Sequence, residues 1–296
     1  MGSPATEARR MGKMVWIILR VLVLSAAGIA IFLYFAQNRL IYYRSSYGQK
    51  DLDFAAANCL EVPFTTPQGR QSAWFFPKPG MPAGVLPGEV WLVFGGNASV
   101  ALGWVDFLSA WRGGETGFLL FDYPGFGKCE GTPGKSAIGE SIRPAVLALA
   151  KEFGVPESEV AGRVCVLGHS LGAAAGLMAA VEFNPRKAVI ISPFTSLLER
   201  ARQQYGTPLC HLLKDRYDNV ASLRLLDGEM RDGKRGRFPL TVLHGSRDRV
   251  IPVTMGRELA AAFGEWIEYV EIPGAGHNDI LLEGGNAVFT AMRRED

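Results

Sequence analysis

The chain has 296 residues, a formal net charge of +2 and 48% hydrophobic residues. That length holds one domain of about 250 residues behind an N-terminal anchor, with enough core to need no disulfide or metal staples. Acids and bases are mixed along it, so no basic stripe is offered and nucleic acid is not an expected partner. The densest charged run, 231–237, is broken by Gly and acids and reads as a solvated loop. The four cysteines, Cys59, Cys129, Cys165 and Cys210, are far apart, which argues against a C-x-x-C zinc site. Cys165, inside RVCVLG, reads as a small buried hydrophobe; pairing among the other three stays open.

Residues 1–13 form a basic N-terminal tail, expected to be cytoplasmic. Residues 14–36, MVWIILRVLVLSAAGIAIFLYFA, carry one charge, Arg20. As a helix at about 1.5 Å per residue this stretch crosses a hydrocarbon core of about 30 Å. Arg20 lies near one end, where its side chain snorkels, and Trp16 and Tyr34 mark the two interfaces. The apolar run exceeds a signal-peptide core and shows no A-x-A cleavage site, and a buried core helix would need a polar face. A single-pass anchor in the lipid bilayer is therefore expected. Arg9, Arg10, Lys13 and Arg20 against Arg39, Arg44 and Lys50 favour the rest of the chain on the non-cytoplasmic side.

Residues 37–58 read as a linker or first edge element, and 59–296 as the folded domain. Short apolar runs, CLEVPF, QSAWFF, EVWLVF, GFLLFD, RVCVLG, KAVIIS, LTVLHG and EYVEIP, predict eight strands. Several are apolar throughout, as strands covered on both faces are. Helices are predicted over Ser141–Phe153, Leu171–Phe183, Met255–Phe263 and Asn286–Arg294. The alternation is that of a mostly parallel α/β sheet flanked by helices. Residues 194–238 interrupt it and predict a small cap with a helix near Ser196–Gln204.

Gly168-His169-Ser170-Leu171-Gly172 fits G-x-S-x-G, the strand-to-helix turn that exposes a nucleophilic serine. An apolar strand runs into it and an Ala-rich helix leaves it. The N–H of Leu171, at a helix N-terminus, then faces the place where an oxyanion forms. A serine alcohol needs a base, and only four histidines are present. His169 lies within the turn itself. His211 lies in the expected cap, and His244 reads as a strand-end packing residue. His277, in the Gly-rich loop IPGAGHND after the last strand, leaves room for an acid between nucleophile and base. Asp248, after the strand LTVLHG, is the candidate acid, holding the His277 tautomer. Asp279 is its rival, more suited to shaping the His277 loop; Asp122 precedes Ser170 and reads as structural. A second oxyanion donor is expected from Gly95-Gly96-Asn97-Ala98-Ser99, at the N–H of Asn97 or Ala98.

FGGNAS, FDYPGFGKCEGTPG, GHSLGAAAG, SPFTSL, LHGSRDRVIP and GAGHNDI resemble, in order, the blocks of membrane-anchored α/β-hydrolase-domain (ABHD-like) serine hydrolases. The resemblance runs from about Tyr42 to Ala291 and includes the apolar N-terminal span. It implies the α/β-hydrolase fold, a group that includes acyl-protein thioesterases and lipid hydrolases. It also implies a Ser170, Asp248 and His277 triad, with Asn97–Ala98 and Leu171 forming the oxyanion hole. Gly95 departs from the His-Gly-Asn-Ala common in that group, which puts the rigidity of the loop in question. The expectation is a hydrolase of acyl esters or thioesters that uses neither metal nor organic cofactor. A peptidase on the same fold, or an inactive membrane-bound binding module, is the alternative.

Overall fold

A computed structural model describes residues 4–294 other than 79, 83 and 208; residues 1–3 of the expected tail lie outside the described residues. The helices in chain order are α1 (Pro4–Ile41), α2 (Gln49–Asn58), α3 (Val105–Ser109), α4 (Lys135–Glu152), α5 (Glu157–Ala161), α6 (Leu171–Phe183), α7 (Leu197–Tyr205), α8 (Asn219–Arg231), α9 (Val253–Ala262), α10 (Ile280–Glu283) and α11 (Gly285–Arg293). The strands are β1 (Leu60–Thr66), β2 (Gly69–Pro77), β3 (Glu89–Phe94), β4 (Thr116–Phe121), β5 (Val164–His169), β6 (Ala188–Ile191), β7 (Leu240–Gly245) and β8 (Ile267–Ile272). They form one eight-stranded sheet in the order β1-β2-β4-β3-β5-β6-β7-β8. β2 is antiparallel to both β1 and β4, and every other pairing is parallel.

Why the strands read as unbroken apolar runs is visible in β3. Successive side chains point to opposite faces. Val90, Leu92 and Phe94 enter one core with Ile138 of α4, Ala173 of α6, Leu223 of α8 and Leu259 of α9. Trp91 and Val93 enter a second core with Ala55 of α2, Leu108 of α3 and Met292 of α11. Both faces are covered, so no polar face survives. The layers stack helix, sheet, helix, and the carboxyl ends of the parallel strands converge at one edge of the stack. Ligand sites of open α/β sheets lie outside those ends.

Three expectations are corrected. The helix does not stop with the apolar run at residue 36: α1 continues through Gln37, Asn38 and Arg39 to Ile41 as one helix of 38 residues, about 57 Å at 1.5 Å per residue. Nor are residues 37–58 a linker. The Gln37 amide donates to Leu212 O at 3.1 Å and accepts from Lys214 N at 2.7 Å. Asn38 donates to Pro133 O, and buried Tyr42 donates to Asp215 Oδ2 at 2.7 Å and meets Tyr217 Oη at 3.0 Å. Residues 49–58 are α2, whose first turn is closed by Asp51 accepting from Gly48 N at 2.8 Å. The expected cap over 194–238 is shorter as well. Its first half is α7 with a 3-10 turn at Leu209–Leu212, but Leu223 and Leu226 of α8 are buried in the core against α6. α8 is a layer helix, and only about 194–218 stands above the sheet. The run 231–237 is exposed except at Arg235, which pairs with Glu229 at 2.9 Å and donates to Ala180 O and Val181 O at the end of α6.

Candidate active site

Ser170 sits between β5 and α6 with φ 59° and ψ −118°, a backbone setting that L-residues avoid without surrounding constraint. The constraint comes from the flanking glycines. A Cβ on Gly172 would lie 2.1 Å from Phe94 O, and one on Gly168 would lie 2.2 Å from Gly172 O. The turn therefore closes only with hydrogen at both positions, and it projects the serine hydroxyl beyond the carboxyl end of β5.

Three loops bring the remaining groups to it. His277, after β8, places Nε2 2.9 Å from Ser170 Oγ. Its Nδ1 donates to Asp248 Oδ2, after β7, at 2.6 Å. Asp248 Oδ1 accepts the N–H groups of Val250 and Ile251, each at 2.8 Å. All three residues are only 8% exposed. Burial by itself would raise the Asp248 carboxyl. The rings of His244 and His277 and the N–H of Ile251 outweigh it and hold Asp248 well below the usual carboxylate range.

His244 belongs to this arrangement, which reading it as a packing residue missed. It is fully buried, and Nε2 lies 3.0 Å from Ile251 O and 3.4 Å from Asp248 Oδ2. Two acceptors at one nitrogen call for a proton on Nε2, and Nδ1 has no partner among the described residues. Its spacing in HGSRD, four residues before the acid, is the only sequence signal that pointed to it. His169 Nε2 lies 3.0 Å from His277 O. Packing around its ring, with His277 second, lowers it to about 3, so it stays neutral and props the His277 loop from below. His211 lies in the cap turn, away from this chain of bonds.

The other carboxylates stand apart. Asp279 is exposed and accepts from Gly276 N at 2.6 Å, closing the His277 loop. Buried Asp122 accepts from Ala101 N at 2.9 Å and from the Tyr47 hydroxyl, and burial raises it to about 6.

The loop after β3 comes over Ser170 from the opposite side. An added Cβ on Gly96 would stand 3.7 Å from Ser170 Cβ. Asn97, Leu171 and Ser170 line one cavity of about 450 Å³, within the size range of small-ligand sites. Ala98 does not line it; its carbonyl faces outward to Ser45 Oγ at 3.4 Å. The departure at Gly95 has a steric cause: a Cβ there would lie 2.7 Å from Ser99 Cβ and 3.1 Å from Trp104 Nε1. The loop is held by other bonds. Tyr123 Oη donates to Gly95 O at 2.6 Å, Asn97 Nδ2 to Ile41 O at 2.6 Å, and Tyr43 N to Asn97 O at 2.9 Å.

Comparison with known proteins identifies the family and the fold. The sequence model of the alpha/beta hydrolase family matches residues 79–236. An uncharacterised protein of Mycobacterium tuberculosis is 31% identical over 279 residues, covering 94% of this chain and 93% of that one. The human alpha/beta hydrolase domain-containing protein 17B is 26% identical over 196 residues, 65% of this chain and 62% of its own length. Among solved structures, an alpha-beta hydrolase from Vibrio vulnificus superimposes with a TM-score of 0.65 at 14% identity, covering 86% of this chain and 92% of that one. An esterase of Pyrococcus furiosus does so with 0.57 at 18% identity, covering 85% and 94%. The sheet order, the turn at Ser170 and these matches together mean that the chain belongs to the alpha/beta hydrolase family.

Proposed function

We propose that this hydrolase cleaves acyl esters or thioesters at a membrane, with Ser170 as nucleophile, His277 as general base and Asp248 as the acid that orients it. The observation that carries the reading is the bonded series Ser170 Oγ, His277 Nε2, His277 Nδ1, Asp248 Oδ2, at 2.9 and 2.6 Å. In the first step the bond from Ser170 Oγ to the acyl carbon forms as the hydroxyl proton moves to His277 Nε2. The carbonyl π pair becomes the oxyanion, which the N–H of Leu171 and of Asn97 or Ala98 receives. Collapse expels the alkoxide or thiolate, which takes the proton from His277. Water repeats the sequence on the acyl-enzyme, gives its proton to His277 and releases the acid as Ser170 recovers that proton. Asp248 stays ionised throughout and stabilises the imidazolium.

Membrane attachment rests on α1, of which the stretch Arg9–Ile41 is long and apolar enough to cross a bilayer. Its flanks Leu22, Val23, Leu24, Phe32 and Phe35 are all more than half exposed, a face that water does not tolerate over such a length. Ser170→Ala should abolish labelling by a fluorophosphonate and ester turnover while the melting temperature stays within a few degrees. Labelling that persists in the alanine variant would refute the assignment.

A further inference from the structure

A second cavity, about 370 Å³, lies between α1 and the cap. Leu40, Ile41, Ala201, Tyr205 and Leu213 line both it and the cavity at Ser170, so the two adjoin across these side chains. Its far end is formed by Leu33 on α1 and by Leu209 and Leu212 of the cap turn. The membrane helix is thus one wall of the space that reaches the nucleophile. The wall is fixed in place by the Gln37 amide, bonded to the cap on both sides. Lys214 Nζ stands 4.0 Å from the Tyr34 ring centroid. A lysine over a tyrosine at the end of a span suits headgroup level.

We propose that this groove is the acyl-chain site of a membrane lipid ester, and that the lipid enters it sideways from the bilayer. The inference rests on the hydrolase reading above and adds the ligand and its route. From Leu33 to Ile41 the helix rises about 12 Å at 1.5 Å per residue. A lipid beside α1 therefore brings its ester carbonyl to Ser170 by rising about that far, while its tail slides between α1 and the cap and never meets water. Between α1 and the cap the walls are mostly apolar, with Leu33, Leu40, Leu209 and Leu212 beside Gln37, and suit an acyl chain. At the Ser170 end Arg200 and exposed Arg249 line the cavity. The Arg200 guanidinium is bonded to Val250 O and Gln204 Oε1 rather than to a carboxylate. Two cations beside the scissile bond favour a phosphate-bearing monoacyl lipid over an acylated peptide.

The test uses the full chain in phosphatidylcholine vesicles. The substrates are a C16 monoacyl phosphatidylglycerol, an S-palmitoyl peptide and a soluble C4 ester. Ala201→Trp, at the junction of the two cavities, should lower the C16-to-C4 ratio of kcat/KM at least tenfold. Leu209→Lys, at a 39% exposed position that tolerates exchange without unfolding, should lower it several-fold. A C16 alkyl fluorophosphonate with a terminal diazirine should label Ser170 and, on illumination, crosslink within 33–41 or 209–213. An unchanged ratio in both variants, or crosslinks outside those segments, would overturn the groove. Faster turnover of the S-palmitoyl peptide than of the lysolipid would overturn the lipid assignment. Loss of Ser170 labelling and of C4 turnover in the unmodified chain is a different result, and it would remove the hydrolase reading itself.

Discussion

Two imidazoles converge on one carboxylate. His277 Nδ1 and His244 Nε2 lie 2.6 and 3.4 Å from Asp248 Oδ2, and two backbone N–H groups occupy Oδ1. The carboxylate is thus held ionised and in one rotamer before substrate arrives, which is what a group that stabilises a transient imidazolium needs. Asp248→Asn keeps an oxygen for Val250 and Ile251 but turns an N–H donor toward His277, selecting the wrong tautomer. We expect kcat to fall by about 10⁴, the loss such an exchange causes in other triads, with the melting temperature little changed. Asp279→Asn touches only the Gly276 N–H, at 2.6 Å, and should cost less than about tenfold. Steady-state kinetics on a soluble ester separates the two. If the order of the effects were reversed, the acid would have to be moved to Asp279.

At the scale of elements, the loop after β3, proposed to supply an oxyanion donor, is positioned by the end of α1. Gly95 leaves no room for a side chain, because Ser99 and Trp104 Nε1 occupy its space. The Asn97 side chain reaches Ile41 O instead, and the Asn97 carbonyl takes the Tyr43 N–H. Asn97→Ala deletes the first of these bonds and keeps the backbone donor. Since removing an oxyanion donor altogether costs about 10²–10³ in kcat, loosening one should cost about tenfold, in kcat rather than KM. An unchanged kcat would mean that the loop holds its shape without α1. The inner strands β3 to β7 were legible because burial on both faces leaves a near-continuous apolar run, as in VCVLGH, whereas the edge strands β1 and β8 are partly exposed and keep polar residues among the apolar ones. The turn at Ser170 was legible because its glycines are dictated by contacts within a few residues. What was not legible depends on distant partners. Gln37 and Tyr42 meet residues about 175 positions away, at Leu212, Lys214, Asp215 and Tyr217, so their segment read as a linker. Leu223 and Leu226 show helical spacing, but nothing local says that α6 is their partner, and α8 was assigned to the cap. Lys135 and Ser136 begin α4 without a side-chain cap, and its polar first turn hid the start of that helix.

Taken whole, the molecule on the proposed reading couples an anchor to its chemistry along one line: the apolar helix α1, the segment behind it and the loop proposed to hold the oxyanion. A flexible tether would only raise the local concentration of bilayer substrates. Here the segment behind the span is folded into the domain through Gln37, Asn38 and Tyr42, and it carries the Ile41 O and Tyr43 N–H that hold Asn97. Two truncations separate the two roles. Deleting residues 1–36 removes the span but leaves Gln37 to Tyr43 to pack on the cap and the loop. Short soluble esters should then be hydrolysed at about the rate of the full chain, while long-chain lipids in vesicles are hydrolysed at least tenfold more slowly. Deleting residues 1–45 also removes the bonds to Asn97 and exposes Asp215 and Tyr217, which lose Tyr42. The deletion also removes Tyr42, only 2% exposed, and the loss of a buried side chain of that size costs about 1.5–3 kcal/mol. The second truncation should therefore melt several degrees lower and lose at least tenfold in kcat even on the short ester. Calorimetry and the two assays, run on both truncations beside the full chain, give the comparison. If the two truncations behaved alike on the short ester, the juxtamembrane segment would be no more than a tether, and the oxyanion loop would have to be rigid by its own contacts with Tyr123 and Ser99.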